Sequence, residues 1–304
     1  MKQILVTGAS GFVGRHLIPH LLGEGHRVFA LSRSAPVAGA HHIPVADYTP
    51  VSIAAALRGR EFDAFIHLAG AGSVPSDRNI LTLTRINAIL PGIIVEAAAK
   101  FGARAVVMAG SYAEYASPAQ DELLTEKHPL EESEPYGTSK AAGAEFALAQ
   151  GKFYNIPVAV GRLFNLYGPQ DTLRHRLFPS LVDRLKTGQE VPLSEGRQAR
   201  DFVYIKDACS AVSQMMHALM EGTLPSAAYN IASGCPCSVA DFAKKTAQAL
   251  NVDVSLLKFG ALPPRAVPDA PFMVGDPSLL HSVTGWKCAH SLHEGLHDSV
   301  RGGE

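Results

Sequence analysis

Short apolar runs alternate with amphipathic stretches through the first half of the chain. Ile4, Leu5 and Val6 make an unbroken apolar run, the pattern of a strand buried on both faces of a parallel sheet. Residues 27–31 (RVFAL), 41–47 (HHIPVAD), 63–70 (DAFIHLAG), 105–109 (AVVMA) and 156–164 (IPVAVGRLF) predict five more strands. Helical periodicity begins at Phe12 and returns over 51–57, 81–100 and 136–150, with Pro91 inside the 81–100 stretch. Residues 116–135, rich in Pro, Glu and Ser, predict a long surface loop. This alternation predicts an α/β fold, a doubly wound parallel sheet. Beyond Asn165 the alternation fades, and helices over 181–185 and 240–250 suggest a smaller C-terminal α+β lobe. The predicted division is 1–168 and 169–304, with Val203 and residues 228–231, inside the span 202–232, rejoining the first sheet.

Composition narrows the class. With 304 residues, 47% hydrophobic and 18% charged, the chain can bury a core and is not of disordered composition. A formal charge of -1 without a long basic run argues against a nucleic-acid surface. No apolar stretch is expected to reach the roughly 18 residues of a membrane span. Gly8, Gly11 and Gly14 would interrupt the apolar region of a signal peptide. Four cysteines, of which Cys235 and Cys237 flank Pro236, form neither a disulfide framework nor a zinc spacing. They are expected to be ordinary thiols of a reduced cytoplasm. His41 and His42, adjacent on a strand, point to opposite faces, so no metal site is expected there.

The first seventeen residues, MKQILVTGASGFVGRHL, carry the strongest chemical signal. Gly8, Gly11 and Gly14 join the first strand to the first helix, where the chain must turn sharply and let its backbone approach a phosphate. The N–H groups and positive dipole end of that helix suit the pyrophosphate of a dinucleotide, as in a Rossmann unit. After the second strand the chain reads Ser32-Arg33-Ser34, with no acid for a ribose hydroxyl. A guanidinium with two hydroxyls suits a 2′-phosphate, so NADP(H) is favoured over NAD(H). Asp47 and Tyr48 fall near the adenine end, and the turn after residue 67 could pass under a nicotinamide. Tyr136 and Lys140, four apart on a helix, share a face, and the ammonium is expected to lower the phenol's pKa. With Ser111 at a neighbouring strand end they make an acid/base device for moving a proton alongside a hydride.

TGASGFVG, Ser111, Tyr136-x-x-x-Lys140, Arg162-Leu163-Phe164-Asn165 with Tyr167-Gly168-Pro169, and Arg200-Asp201-Phe202-Val203 together resemble the extended short-chain dehydrogenase/reductase family. The likeness is to its nucleotide-sugar branch of epimerases, 4,6-dehydratases and 4-ketoreductases. It implies that Gly8, Ser10, Gly11, Phe12, Val13 and Gly14 bind pyrophosphate, Asp47 and Tyr48 flank adenine, and Leu68 and Ala69 line the nicotinamide side. Ser32 and Arg33 would complete the cofactor site, with Tyr136 and Lys140, and Asn87 would support it. Ser111, Tyr136 and Lys140 would be catalytic; Asn165, Arg200 and Arg265, with Ser111 and Tyr136, would meet a nucleotide-diphosphate sugar. A homodimer built on the Tyr136 and Asn87 helices is implied as well.

Departures from the family pattern sharpen the expectation. Family dehydratases carry acids directly after the serine; here Tyr112 and Ala113 stand there, and Glu114 is expected to point away in a structural role. The leading expectation is NADPH-dependent reduction of a nucleotide-diphosphate 4-keto-6-deoxyhexose, with Tyr136 as proton donor. The alternative is a nucleotide-sugar 4-epimerase with tightly bound NAD(P). A non-catalytic dinucleotide-sensing protein ranks last, because such proteins commonly lose the Tyr–Lys pair.

Overall fold

A computed structural model of the protein describes residues 1–34, 38–74, 77–263 and 270–301. Strand and helix alternate as the apolar pattern requires: β1 (Gln3–Thr7), α1 (Phe12–Gly23), β2 (Arg27–Ser32), β3 (His41–Pro44), α2 (Pro50–Leu57) and β4 (Ala64–His67). A helical run then comprises α3 (Ile80–Leu83), a π-helical turn (Thr84–Ile89) and α4 (Leu90–Lys100). It is followed by β5 (Val106–Ser111), α5 (Pro135–Tyr154) and β6 (Val158–Leu163). Ile4 and Val6 pack into one buried cluster and Leu5 into another. One strand thus feeds cores on both faces of the sheet, which is why its sequence is apolar without alternation.

Past β6 come β7 (Asn165–Tyr167), α6 (Leu177–Lys186), β8 (Val191–Pro192), β9 (Ala199–Tyr204), α7 (Ile205–Met220), β10 (Ala228–Ile231), β11 (Pro236–Ser238) and α8 (Val239–Ala249). The described chain ends through β12 (Leu257–Lys258), β13 (Phe272–Met273), α9 (Ser278–Thr284) and α10 (Leu292–Arg301). The main sheet has the order β10-β6-β5-β4-β1-β2-β3, with every pair parallel. Residues 228–231 rejoin it as expected, but Val203 does not. The outer edge of β6 is taken by β10, so Phe202, Val203 and Tyr204 pair instead with Asn165, Leu166 and Tyr167 of β7. β9 also pairs with β11 and β13, making a separate four-stranded sheet.

By length and composition Ile80–Lys100 could cross a membrane, contrary to the expectation that no stretch would, yet half of it is buried against the protein's own elements. Pro91 is accommodated without breaking the run. It has no N–H to bond a carbonyl one turn back, and the π turn lets the ladder re-register around Asn87. At that turn α5 crosses closely: a Cβ on Gly143 would fall 1.8 Å from the Asn87 carbonyl oxygen. α5 is longer than its periodicity suggests. Glu134 caps its start by accepting from the Gly137 N–H at 2.7 Å, and Asn155 ends it in the left-handed region at φ 54°.

Candidate active site

A cleft of about 740 Å³ opens along the carboxyl ends of β1, β2 and β4, where open α/β sheets bind ligands. Gly8, Ser10 and Gly11 form its floor. Gly8 has φ +69°, and a Cβ there would lie 2.5 Å from the Ala69 amide nitrogen, so only glycine fits between β1 and the loop after β4. On Gly14 a Cβ would lie 2.5 Å from the carbonyl oxygens of Gly8 and Ala9, which seats α1 directly on the turn. Arg15 N–H closes the first helical turn on Gly11 O, leaving the Phe12, Val13 and Gly14 N–H groups ahead of the intrahelical ladder. The Phe12 and Val13 side chains pack against the core instead of lining the cleft. Backbone approach, helix terminus and cleft length fit a dinucleotide.

The far end of the cleft is lined by Ser32, Arg33, Ser34, Asp47 and Tyr48. Tyr48 donates its hydroxyl to Leu31 O at 3.2 Å, and burial pushes that phenol up. Asp47 accepts from Thr49, and hydrogen bonds from Ser52 and Thr49 hold its carboxyl down at about 2. Ser32 is buried and donates to Ser34 O at 2.9 Å, so its hydroxyl is already engaged, while Arg33 is exposed. Leu68 and Ala69 line the cleft beside β4. Asn87 does not line it. Its amide is buried, accepting from Ala71 N–H at 2.8 Å and donating to Ala71 O and Ser139 Oγ at 3.0 Å. With its side-chain amide engaged by the loop after β4 and by α5, Asn87, expected among the cofactor-binding residues, serves here as a support for that loop.

Ser111 ends β5, and Tyr136 stands in the first turn of α5. Gly137 brings them together: a Cβ there would lie 2.0 Å from Ala113 O, so α5 presses its first turn against the short 3₁₀ turn that follows Ser111. Tyr136 is half-buried, and its phenol has the Ser111 hydroxyl as a neighbour that lowers its pKa. Burial raises its pKa above the ordinary value and outweighs the lowering by Ser111. The net shift is thus opposite to the lowering expected from Lys140. The ammonium donates to Ala109 O at 2.6 Å, and burial depresses its own pKa. Beside it, His67 is fully buried, with Nδ1 bonded to Thr7 Oγ1 at 2.6 Å and Nε2 unpartnered. A void of about 10 Å³ lies between His67, Asn87 and Lys140, close to the room one water needs.

Beneath Ser111 lies a buried polar network. Glu114 accepts from the Ser111 N–H at 2.8 Å and receives Arg162 Nε at 2.8 Å on its other oxygen. Arg162 Nη1 donates to the Tyr115 hydroxyl at 3.0 Å, and Tyr115 donates to Asn230 Oδ1 at 2.6 Å. Glu114 is thus turned away from the reacting side, as expected. Asn165 donates to Asp201 O at 3.1 Å, and Arg200 Nη1 donates to Ala199 O and Ala270 O at 2.8 Å, both at the small sheet. Arg265 lies outside the described residues.

Residues 4–232 match the NAD dependent epimerase/dehydratase family. The chain belongs to this family. It is 30% identical over 290 residues to the GDP-6-deoxy-D-talose 4-dehydrogenase of Aggregatibacter actinomycetemcomitans, covering 93% of this chain and 91% of that one. The UDP-glucose 4-epimerase of Thermus thermophilus, in complex with NAD, superposes over 98% of both chains with a TM-score of 0.84 and 25% identity. MoeE5 in complex with UDP-glucuronic acid and NAD does so over 98% of both chains, with a TM-score of 0.84 and 26% identity.

Membership of the epimerase/dehydratase family makes this an NAD-dependent, nucleotide-sugar enzyme of the extended short-chain type. The preference for NADP(H) read from Ser32-Arg33-Ser34 finds no support: the structural neighbours hold NAD, and Ser32 has spent its hydroxyl locally. Two further arginines near Tyr136 carry no sequence signal, because they lie in polar segments without periodicity. Arg78 sets its guanidinium 5.7 Å from the Tyr136 ring centre, and the Arg176 charge favours the ionised phenol. Arg162 sits in the quoted motif, but nothing in a strand pattern says that its charge is buried.

Proposed function

We propose that the protein is a nucleotide-sugar 4-epimerase that keeps NAD bound through the cycle. The observation that carries this reading is one proton-transfer site, Tyr136 against Ser111, set beside the dinucleotide cleft with no second acid at residues 112 and 113. Glu114, the nearest carboxylate in sequence, is tied to Arg162, so the site lacks the acid pair an elimination needs. The epimerase and the UDP-glucuronic acid complex among the structural neighbours support the same reading.

Bound NAD supplies a hydride acceptor that can return what it takes. The protein's own residues handle the proton. Tyr136 takes it from the sugar hydroxyl and gives it back to the ketone oxygen, while Ser111 hydrogen-bonds that oxygen. Lys140, held on Ala109 O, keeps a positive charge near the cofactor ribose position and fixes the face of α5. Arg78 and Arg176 border the phenol, and with Asn165 and Arg200 they are assigned to the nucleotide diphosphate, which guanidinium groups bind in bidentate fashion. The active unit is taken to be a homodimer.

The test needs no added cofactor. Protein purified and denatured should release NAD, identified by mass. Incubation with UDP-hexoses or UDP-hexuronates should interconvert C4 epimers without net change in absorbance of reduced cofactor. A second reading, a 4-dehydrogenase or 4-ketoreductase of a nucleotide 6-deoxyhexose, is favoured by the 30% identical GDP-6-deoxy-D-talose 4-dehydrogenase. Release of no cofactor, with steady oxidation of added NAD(P)H by a 4-keto-6-deoxysugar nucleotide, would replace the epimerase with it.

A further inference from the structure

At the opposite end of α1 from the cleft, three side chains converge. Glu24 follows the last turn of α1, His26 opens the way to β2, and His217 lies in the last turn of α7. His26 Nε2 is 3.2 Å from His217 Nε2 and 3.5 Å from Glu24 Oε2, and His217 Nε2 is 3.7 Å from the same oxygen. Three atoms with these separations have their common centre about 2.0 Å from each, so a small inward movement of the side chains would seat a tetrahedral ion at zinc–imidazole and zinc–carboxylate bond lengths. Of the three contacts, His26–His217 is a hydrogen bond, while Glu24 Oε2 stands farther from both rings.

The donor set has the chemistry of a divalent ion of zinc type: two neutral imidazoles and one carboxylate, with a fourth position open. The carboxylate is held in place, Ser213 donating to Oε2 at 2.6 Å and His20 Nε2 standing 3.3 Å from Oε1. His26 is nearly buried, whereas Glu24 and His217 are about one-third exposed, so an ion can enter from solvent on their side. His26 would ligate as the neutral imidazole. Its Nδ1 has no partner to orient the ring from behind, and an affinity in the micromolar range is expected, weaker than sites with full outer-sphere support.

We propose that Glu24, His26 and His217 bind one zinc(II) ion, which clamps the C-terminal ends of α1 and α7 together outside the catalytic cleft. The twelve residues of α1 separate this clamp from the pyrophosphate end by about 18 Å, so it acts on stability and not on the proton-transfer residues.

The full chain without an affinity tag, stripped with a chelator and dialysed, would be titrated with zinc chloride by calorimetry. One equivalent should bind with a dissociation constant of about 10 μM or tighter, and saturating zinc should raise the melting temperature by about 5 °C. His217→Ala should weaken binding at least 100-fold and abolish the thermal shift. His217→Cys, which restores a zinc ligand, should retain both. His293→Ala with His297→Ala, the neighbouring pair on α10, should leave the titration unchanged. Absence of binding tighter than about 100 μM in the wild type, or unaltered binding in His217→Ala, would overturn the proposal.

Discussion

Glu114 and Arg162 meet at 2.8 Å (Oε2 to Nε) with both side chains buried, directly beneath the serine of the proton-transfer site. The pair joins the end of β5 to β6, and through Tyr115 and Asn230 it reaches β10. Its remaining hydrogen-bonding capacity is largely satisfied by the Ser111 N–H and the Tyr115 hydroxyl. Removing one partner leaves an uncompensated buried charge, whereas removing both need not. Arg162→Met should therefore destabilise the fold by about 3–5 kcal/mol, and adding Glu114→Leu should recover part of that loss. Urea unfolding of the single and double variants measures it; a double variant less stable than Arg162→Met would contradict this account.

Gly137 controls how closely Tyr136 approaches Ser111. In Gly137→Ala the new methyl would meet Ala113 O at 2.0 Å, forcing the first turn of α5 outward. A displacement of about 1 Å at the reacting groups can lower kcat by about 100-fold. Bound NAD should be retained, because the glycine loop is untouched. Equal turnover in the variant would show that the close approach is not needed.

Tyr136→Phe removes the phenol oxygen and keeps the ring packed against Gly72 and Arg78. Turnover should fall by about 100- to 10,000-fold with little change in melting temperature. Single-turnover kinetics on the purified variant would separate this from a defect in substrate binding.

His67 makes stability depend on pH. Burial holds its folded pKa at about 3 against 6.5 in the unfolded chain, so between those values only the unfolded state takes the proton. Stability should thus be complete above pH 6.5 and decline as pH falls towards 3, at a limiting slope of about 1.4 kcal/mol per pH unit from this group. His67→Asn, which can still bond Thr7, should be flatter by up to that one-proton slope. Denaturant titrations at pH 7, 5.5 and 4.5 (all inside or just above that window) compare the two; parallel curves would refute the assignment.

Phe146 and Phe153 stand two turns apart on α5 and are 55% and 78% exposed, with Gly92 of α4 beside Phe146. Covering this face with a second copy of the chain would remove both rings from water. Phe146→Glu with Phe153→Glu should yield a monomer by light scattering where the wild type is a dimer. A monomeric wild type would end the homodimer proposal.

Much of this protein is legible along the chain because it rests on short-range regularities. A strand buried on both faces must be an unbroken apolar run, and a helix that meets a phosphate needs glycines before it, so β1 to β6, the cofactor loop and the Tyr136–Lys140 face follow from local pattern. The dehydratase acids are missing at Tyr112 and Ala113 in the sequence itself. What required the tertiary structure is every choice between partners distant in sequence. Val203 pairs with Leu166 because β10 already occupies β6, and Lys140 finds its partner in Ala109 O, thirty-one positions earlier. Arg162 is buried only because Glu114, forty-eight positions earlier, comes to meet it. Charge and hydrogen-bond partners act over a few ångströms in space, and that proximity is set by packing, not by spacing along the chain.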